Sequence, residues 1–190
     1  MTDQRWRLFV AVPIGEELRE ALREPLEKWR NDDALADLRW ADPASWHLTL
    51  AFLGSTEASA VSGLLDRLAP VAEAHGATTA TTGGLGAFPT AARARIAWYG
   101  IEDGDARIAR LAADVGAALG LDMSRPLRPH LTLARVRRQP VDLRPWLAAA
   151  SAPEGELVAD RIELMRSHLG RGPAQYETLA TMKLGVPASV

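Results

Sequence analysis

His47-Leu48-Thr49-Leu50 returns, letter for letter, as His130-Leu131-Thr132-Leu133 in a chain that holds four histidines in all. Along a β-strand alternate side chains share a face, so each copy presents an imidazole and a hydroxyl to one side and two leucines to the other. One polar face over one apolar face is the pattern of a half-buried strand. The second copy begins 83 residues after the first, at position 130 against 47, which reads as an internal duplication of about half the chain. The expected architecture is therefore α+β: two pseudo-symmetric lobes, each a small, mostly antiparallel sheet with outer helices, and the motif strands side by side across a cleft. The 190 residues are read as a single bilobal domain.

The elements around the motifs fit that plan. Arg5 to Val12 alternates as a strand, and Glu16 to Trp29 carries Leu18, Ala21, Leu22, Leu26 and Trp29 at helical spacing, with Pro25 expected to kink or shorten the helix. Leu38 to Ala41 and Trp46 to Leu53 read as strands, the second closed by Gly54, and Ala58 to Ala74 as a helix despite Pro70. A strand from Ala77 to Thr82 runs into Gly83-Gly84-Leu85-Gly86-Ala87-Phe88-Pro89. That segment lacks the Lys-Ser/Thr end of a phosphate loop and opens no helix, so it reads as a bulged or bent strand. Arg95 to Tyr99 is a strand, and Asp105 to Leu119 is a helix with Asp105 as N-cap and Gly120 just past its end. After the second motif strand, His130 to Val136, a short helix starts near Pro145, and the runs Glu156 to Ser167 and Gln175 to Leu184 close the chain as strands joined by a Gly- and Pro-containing turn.

Composition narrows the function. Hydrophobic residues make up 47% of the chain, ample for a core, and cysteine is absent, which excludes disulfides and thiolate metal sites. The apolar run from Leu8 to Ile14 is too short for a signal peptide or a membrane span, so the expectation is a soluble, cytoplasmic, monomeric protein with no membrane partner. A formal net charge of −2 argues against coating nucleic acid by bulk electrostatics and leaves room for local contact. Arg125, Arg128, Arg135, Arg137 and Arg138 surround His130, although the chain favours Arg over Lys throughout; Arg135, on the motif strand itself, is the candidate anion ligand.

Two histidines facing one another suit a reaction that needs a base and an acid in one turnover, and phosphodiester cleavage has that demand. Thr49 and Thr132, two residues along each strand, would hold the non-bridging phosphate oxygens and stabilise charge in the transition state. The rival chemistries are weaker. A catalytic zinc needs a third ligand, for which Asp42 or another carboxylate would have to be recruited, and no His-Glu-x-x-His is present. No Gly-x-Ser-x-Gly elbow supports a serine hydrolase. His75 and His168 read as surface residues.

These residues resemble the 2H phosphoesterase superfamily, named for paired His-x-Thr/Ser-x motifs, and more narrowly the bacterial and archaeal RNA 2′,3′-cyclic phosphodiesterases, historically called 2′-5′ RNA ligases. The resemblance rests on Arg7-Leu8-Phe9-Val10-Ala11, on the first motif with Phe52-Leu53-Gly54, on Pro129 through Arg135, and on Ser167 followed by Gly172 and Tyr176. It implies a bilobal fold, no metal or other cofactor, and opening of RNA 2′,3′-cyclic phosphate ends to 2′-phosphomonoesters, with weak reverse 2′-5′ ligation. It further implies His47 as proton donor to the leaving 3′ oxygen, His130 as the base that activates water, and Thr49 and Thr132 as phosphate ligands. A nucleotide- or RNA-binding module is the alternative from another class, and small cyclic nucleotides or ADP-ribose cyclic phosphate are the rival substrates.

Overall fold

Alternation of apolar and polar residues, interrupted by helical stretches, folds into nine strands and five α-helices in the computed structural model, which describes residues 4–124, 127–168 and 174–185. The strands are β1 (Arg5–Pro13), β2 (Leu38–Trp40), β3 (His47–Glu57), β4 (Thr78–Phe88), β5 (Ile96–Glu102), β6 (His130–Val136), β7 (Gly155–Ala159), β8 (Arg161–His168) and β9 (Gln175–Lys183). The helices are α1 (Glu16–Ala21), α2 (Arg23–Arg30), α3 (Val61–Ala74), α4 (Arg107–Ala118) and α5 (Arg144–Ala149). Arg125, Gly172 and the turn expected between the last two strands lie outside the described residues.

The two expected sheets are the halves of one continuous sheet in the order β7-β4-β5-β6-β3-β1-β8-β9, with β2 paired to β6 beside this path. Every named pairing is antiparallel. Read outward from the β3–β6 junction, β3-β1-β8-β9 mirrors β6-β5-β4-β7. The halves are not contiguous in sequence, because the run Glu156 to Ser167 is two strands divided at Asp160: β7 completes the second half and β8 returns to the first. The junction is a single register pair, Leu48 opposite Leu131, both fully buried. Beyond it β3 and β6 diverge, and β2 pairs along the other end of β6, Leu38 with Val136 through Trp40 with Ala134.

The leucine face of the motifs is the core face. Leu48, Leu50, Leu131 and Leu133 are all buried with Leu64, Leu68, Ile108, Leu111 and Val115 of α3 and α4. Leu18, Leu26, Trp29 and Trp146 bring α1, α2 and α5 into the same core. The first helical segment breaks at Leu22, three residues before Pro25. Pro70, by contrast, sits inside α3 without ending it.

Two local expectations are corrected. Gly54 does not close β3, which runs on to Glu57; with φ +69° it sits where the β1–β3 register slips, an extra residue that a left-handed glycine absorbs. Asp105 is not the N-cap of α4. The helix starts at Arg107 after Ala106 in the left-handed region, and the carboxylate of Asp103 accepts the amides of Ile108 (3.1 Å) and Ala109 (2.8 Å). Gly120 does take the left-handed turn past the helix end, with Leu121 N–H donating to Gly116 O at 2.9 Å. The glycine-rich segment is part of β4, slipping register between Gly83 and Leu85.

Candidate active site

The junction pair fixes the site. With Leu48 opposite Leu131 in antiparallel register, His47 lies across from Thr132 and Thr49 across from His130. The two imidazoles therefore take one diagonal of a four-residue patch and the two hydroxyls the other. Histidine and threonine on each strand are about 7 Å apart along the chain direction, two residues of strand rise.

Each imidazole is held in the same way. His47 Nδ1–H donates to the carbonyl of Ser45 at 2.8 Å, and His130 Nδ1–H donates to the carbonyl of Arg128 at 2.7 Å. A bond to a carbonyl requires the proton on Nδ1, which leaves Nε2 as the nitrogen free for chemistry on both rings. Local sequence aims those carbonyls. Asp42 caps the turn Pro43–Ser45 by accepting the Ala44 amide at 2.9 Å, and Ser45 Oγ donates back to the Asp42 carbonyl at 2.7 Å. Asp42 thus positions a histidine. On the other strand Pro129 restrains Arg128 to extended geometry.

Aromatic rings fix the imidazole planes. Phe9 lies 4.8 Å from the His47 ring and Tyr176 meets it edge-on at 5.0 Å, while Phe88 meets His130 edge-on at 5.0 Å and Trp98 stands 6.3 Å away. Burial pushes both imidazoles below their ordinary pKa; the backbone bond opposes this, and the Arg135 guanidinium lowers both further. His130 adds to the same effect on His47, so the two rings sense one another. The unliganded site thus favours two neutral imidazoles.

A register slip follows each motif. Val10 faces Ala51 and Ala11 faces Thr49, skipping Leu50; Ala97 faces Ala134 and Trp98 faces Thr132, skipping Leu133. One extra residue exchanges the faces of all that follow. Phe52 and Arg135, each five residues after its histidine, are thereby turned onto the histidine face. The two flanks of the site then differ in chemistry. One pocket, lined by His47, Thr49, Thr132 and Arg135, is continued by Arg39, Trp40 and Tyr176. The adjoining pocket is lined by His130, Phe52, Phe88, Leu121, Met123 and Leu127, with Arg128 at its edge. Phe52 is 51% exposed there, with the Arg7 guanidinium 5.2 Å over its ring.

Of the sequence candidates, His47, Thr49, Thr132 and Arg135 share one pocket and His130 opens the next. Arg137 and Arg138 are exposed past the end of β6 and line neither. His75 and His168 are engaged elsewhere, bonded to Asp114 (2.8 Å) and Glu177 (2.9 Å). Among the described residues no three His, Asp or Glu side chains gather as a metal site, and no helix is long and apolar enough to cross a membrane. Sequence reading missed Arg39 and the role of Phe52. Phe52 had a signal, since it occupies the place after its motif that Arg135 occupies after the other; Arg39 had none, because its place depends on a pairing with a strand about a hundred residues away.

The fold is the mixed α+β half-barrel of known phosphoesterase structures. The TT0787 protein of Thermus thermophilus superposes with a TM-score of 0.77 at 26% identity, covering 96% of this chain and 100% of that one. Apo LigT of E. coli superposes at 0.72 with 23% identity over 96% and 99% of the two chains, a likeness of fold. The LigT-like phosphoesterase family matches residues 12–98 and 101–174, and the chain belongs to that family, within the 2H superfamily. Among curated relatives, an RNA 2′,3′-cyclic phosphodiesterase of Geobacillus stearothermophilus is 31% identical over 97% of this chain, which spans 59% of that protein's length. Proteins of the same name from Thermotoga maritima and Bacillus subtilis are each 26% identical, over 91% and 97% of this chain and 92% and 100% of theirs.

Proposed function

We propose that the chain hydrolyses 2′,3′-cyclic phosphate ends of RNA to 2′-phosphomonoesters, with no metal, by acid and base catalysis from its two histidines. The observation that carries this is the diagonal arrangement of two imidazoles and two hydroxyls about the Leu48–Leu131 pair. Thr49 and Thr132 take the non-bridging oxygens, Arg135 adds charge, and the imidazoles stand on opposite sides of phosphorus, as in-line displacement needs. His130 is the more open to solvent of the two, which suits it to take a proton from water, while the part-buried His47 protonates the departing 3′ oxygen. The bound phosphate anion offsets Arg135 and returns to His47 the proton that the unliganded site disfavours. The same ring opening with a 5′-hydroxyl in place of water as the nucleophile breaks the bond to the 3′ oxygen and gives weak, reversible 2′-5′ ligation. The apolar flank at Phe52 and Phe88 offers rings on which a base can stack. The protein acts in this reading as a cytoplasmic monomer.

The experiment is turnover of an oligonucleotide ending in 2′,3′-cyclic phosphate, beside small cyclic nucleotides and ADP-ribose cyclic phosphate, by the wild type and by His47→Ala and His130→Ala. Turnover of the RNA end lost in either variant supports the reading. Binding without turnover by the wild type would replace it with a recognition module.

A further inference from the structure

We infer that the Tyr176 hydroxyl is a further substrate ligand, donating a hydrogen bond to the ribose oxygen that departs from phosphorus on the His47 side. This rests on the proposed cyclic-phosphate reaction. A duplicated motif supplies two like imidazoles, and whatever differs between the halves must separate their roles. In the mirrored order of the sheet, β9 corresponds to β7. Strand β7 has five residues and lines neither pocket of the site, whereas β9 has nine and brings Tyr176 into the pocket of His47, Thr49 and Thr132. In a flat sheet, strands three places apart lie about 14 Å from each other. The curl of the half-barrel instead sets the Tyr176 ring 5.0 Å from the His47 imidazole and 5.3 Å from Phe9.

Among the described residues none hydrogen-bonds the Tyr176 hydroxyl, and that oxygen is not buried. The His47 Nδ1–H is held by the Ser45 carbonyl, so Nε2 meets the substrate, and the hydroxyl on the neighbouring ring approaches the same oxygen from a second direction. The other half has no such group. The rings beside His130 are Phe88, which carries no polar atom, and Trp98, whose indole N–H is buried. A base that takes a proton from water needs no added donor. The leaving oxygen does, because it gains negative charge as its bond to phosphorus lengthens, and a donor placed there is worth more in the transition state than on the ester. Tyr176 gives a hydrogen bond while His47 gives the proton, so the proton balance of the reaction is unchanged.

The test uses Tyr176→Phe, which keeps a ring against His47 and removes the hydroxyl alone, and Tyr176→Leu, which removes both. On adenosine 2′,3′-cyclic phosphate, Tyr176→Phe should lower kcat about tenfold, with KM and the pH profile of kcat/KM close to wild type, and Tyr176→Leu should lower kcat further. Affinities for adenosine 2′-phosphate and 3′-deoxyadenosine 2′-phosphate, measured by calorimetry, locate the hydrogen bond. The wild type should favour the compound that carries the 3′ oxygen, and Tyr176→Phe should lose part of that preference. Wild-type kcat in Tyr176→Phe, or the same preference in both proteins, would overturn the role of the hydroxyl while leaving the two-histidine reaction standing. A wild type that does not turn over the cyclic compound removes that reaction and this inference with it.

Discussion

At the scale of single residues, the site is two equivalent imidazoles made unequal by what surrounds them. Each donates Nδ1–H to the carbonyl two residues back, so in the proposed reaction substitution of either removes a proton-transfer group with little disturbance of the strand. His47→Ala and His130→Ala should each lower kcat by roughly 10²- to 10⁴-fold, with unchanged far-ultraviolet circular dichroism as the check on folding. Thr49→Val and Thr132→Val should cost less, each removing one donor from the proposed phosphate site. Arg135 lowers the pKa of both rings, so Arg135→Ala should move both limbs of the pH profile of kcat/KM toward higher pH, whatever the loss in rate. A profile that moves the other way would show that Arg135 does not act on the histidines through its charge.

At the scale of elements, the motif strands and their slips carry the design. The strand at His130–Val136 was legible to the residue, because alternation, Pro129 and the repeated letters all agree there. The slips were not: no local signal says that Leu50 and Leu133 go unpaired, since the slip depends on strands β1 and β5, which lie elsewhere in the chain. The same limit hid the pairing of β2 with β6, and with it Arg39. The β7–β8 division at Asp160 went unread because the apolar pattern runs almost unbroken through it. Packing behind the site gives a sharper prediction. A Cβ built at Gly86 falls 2.1 Å from the Trp98 ring, a distance no real contact tolerates. Gly86→Ala must displace Trp98, whose ring stands beside His130, so kcat should fall although residue 86 touches no reacting atom. Wild-type kcat in this variant would mean that the Trp98 ring does not help place His130.

At the scale of the molecule, one fully buried leucine pair links the two halves of the sheet. Leu131→Ala should cost about 2–5 kcal/mol, measured by urea unfolding, and should impair turnover more than an equally destabilising change in α3, because the junction also sets the spacing of the four site residues. The part-buried histidines bear on stability as well. Their folded pKa values lie below the unfolded value of 6.5, so the unfolded chain binds more protons as pH falls. Their contribution is fully present above pH 6.5 and is lost as pH falls toward the folded values. Melting temperature should therefore drop on acidification through that window, and less steeply in a His47→Gln, His130→Gln double variant.

In the proposed reaction two histidines on opposite sides of one phosphate open a cyclic diester without a metal. The most direct measurement is a ³¹P NMR time course of an oligonucleotide 2′,3′-cyclic phosphate with chelator-treated protein. The cyclic resonance should give way to a 2′-phosphomonoester at the rate of the untreated protein. A 3′-phosphate product would reverse the roles of His47 and His130. Loss of activity in chelator with recovery on adding Zn²⁺ or Mn²⁺ would contradict the two-histidine account itself.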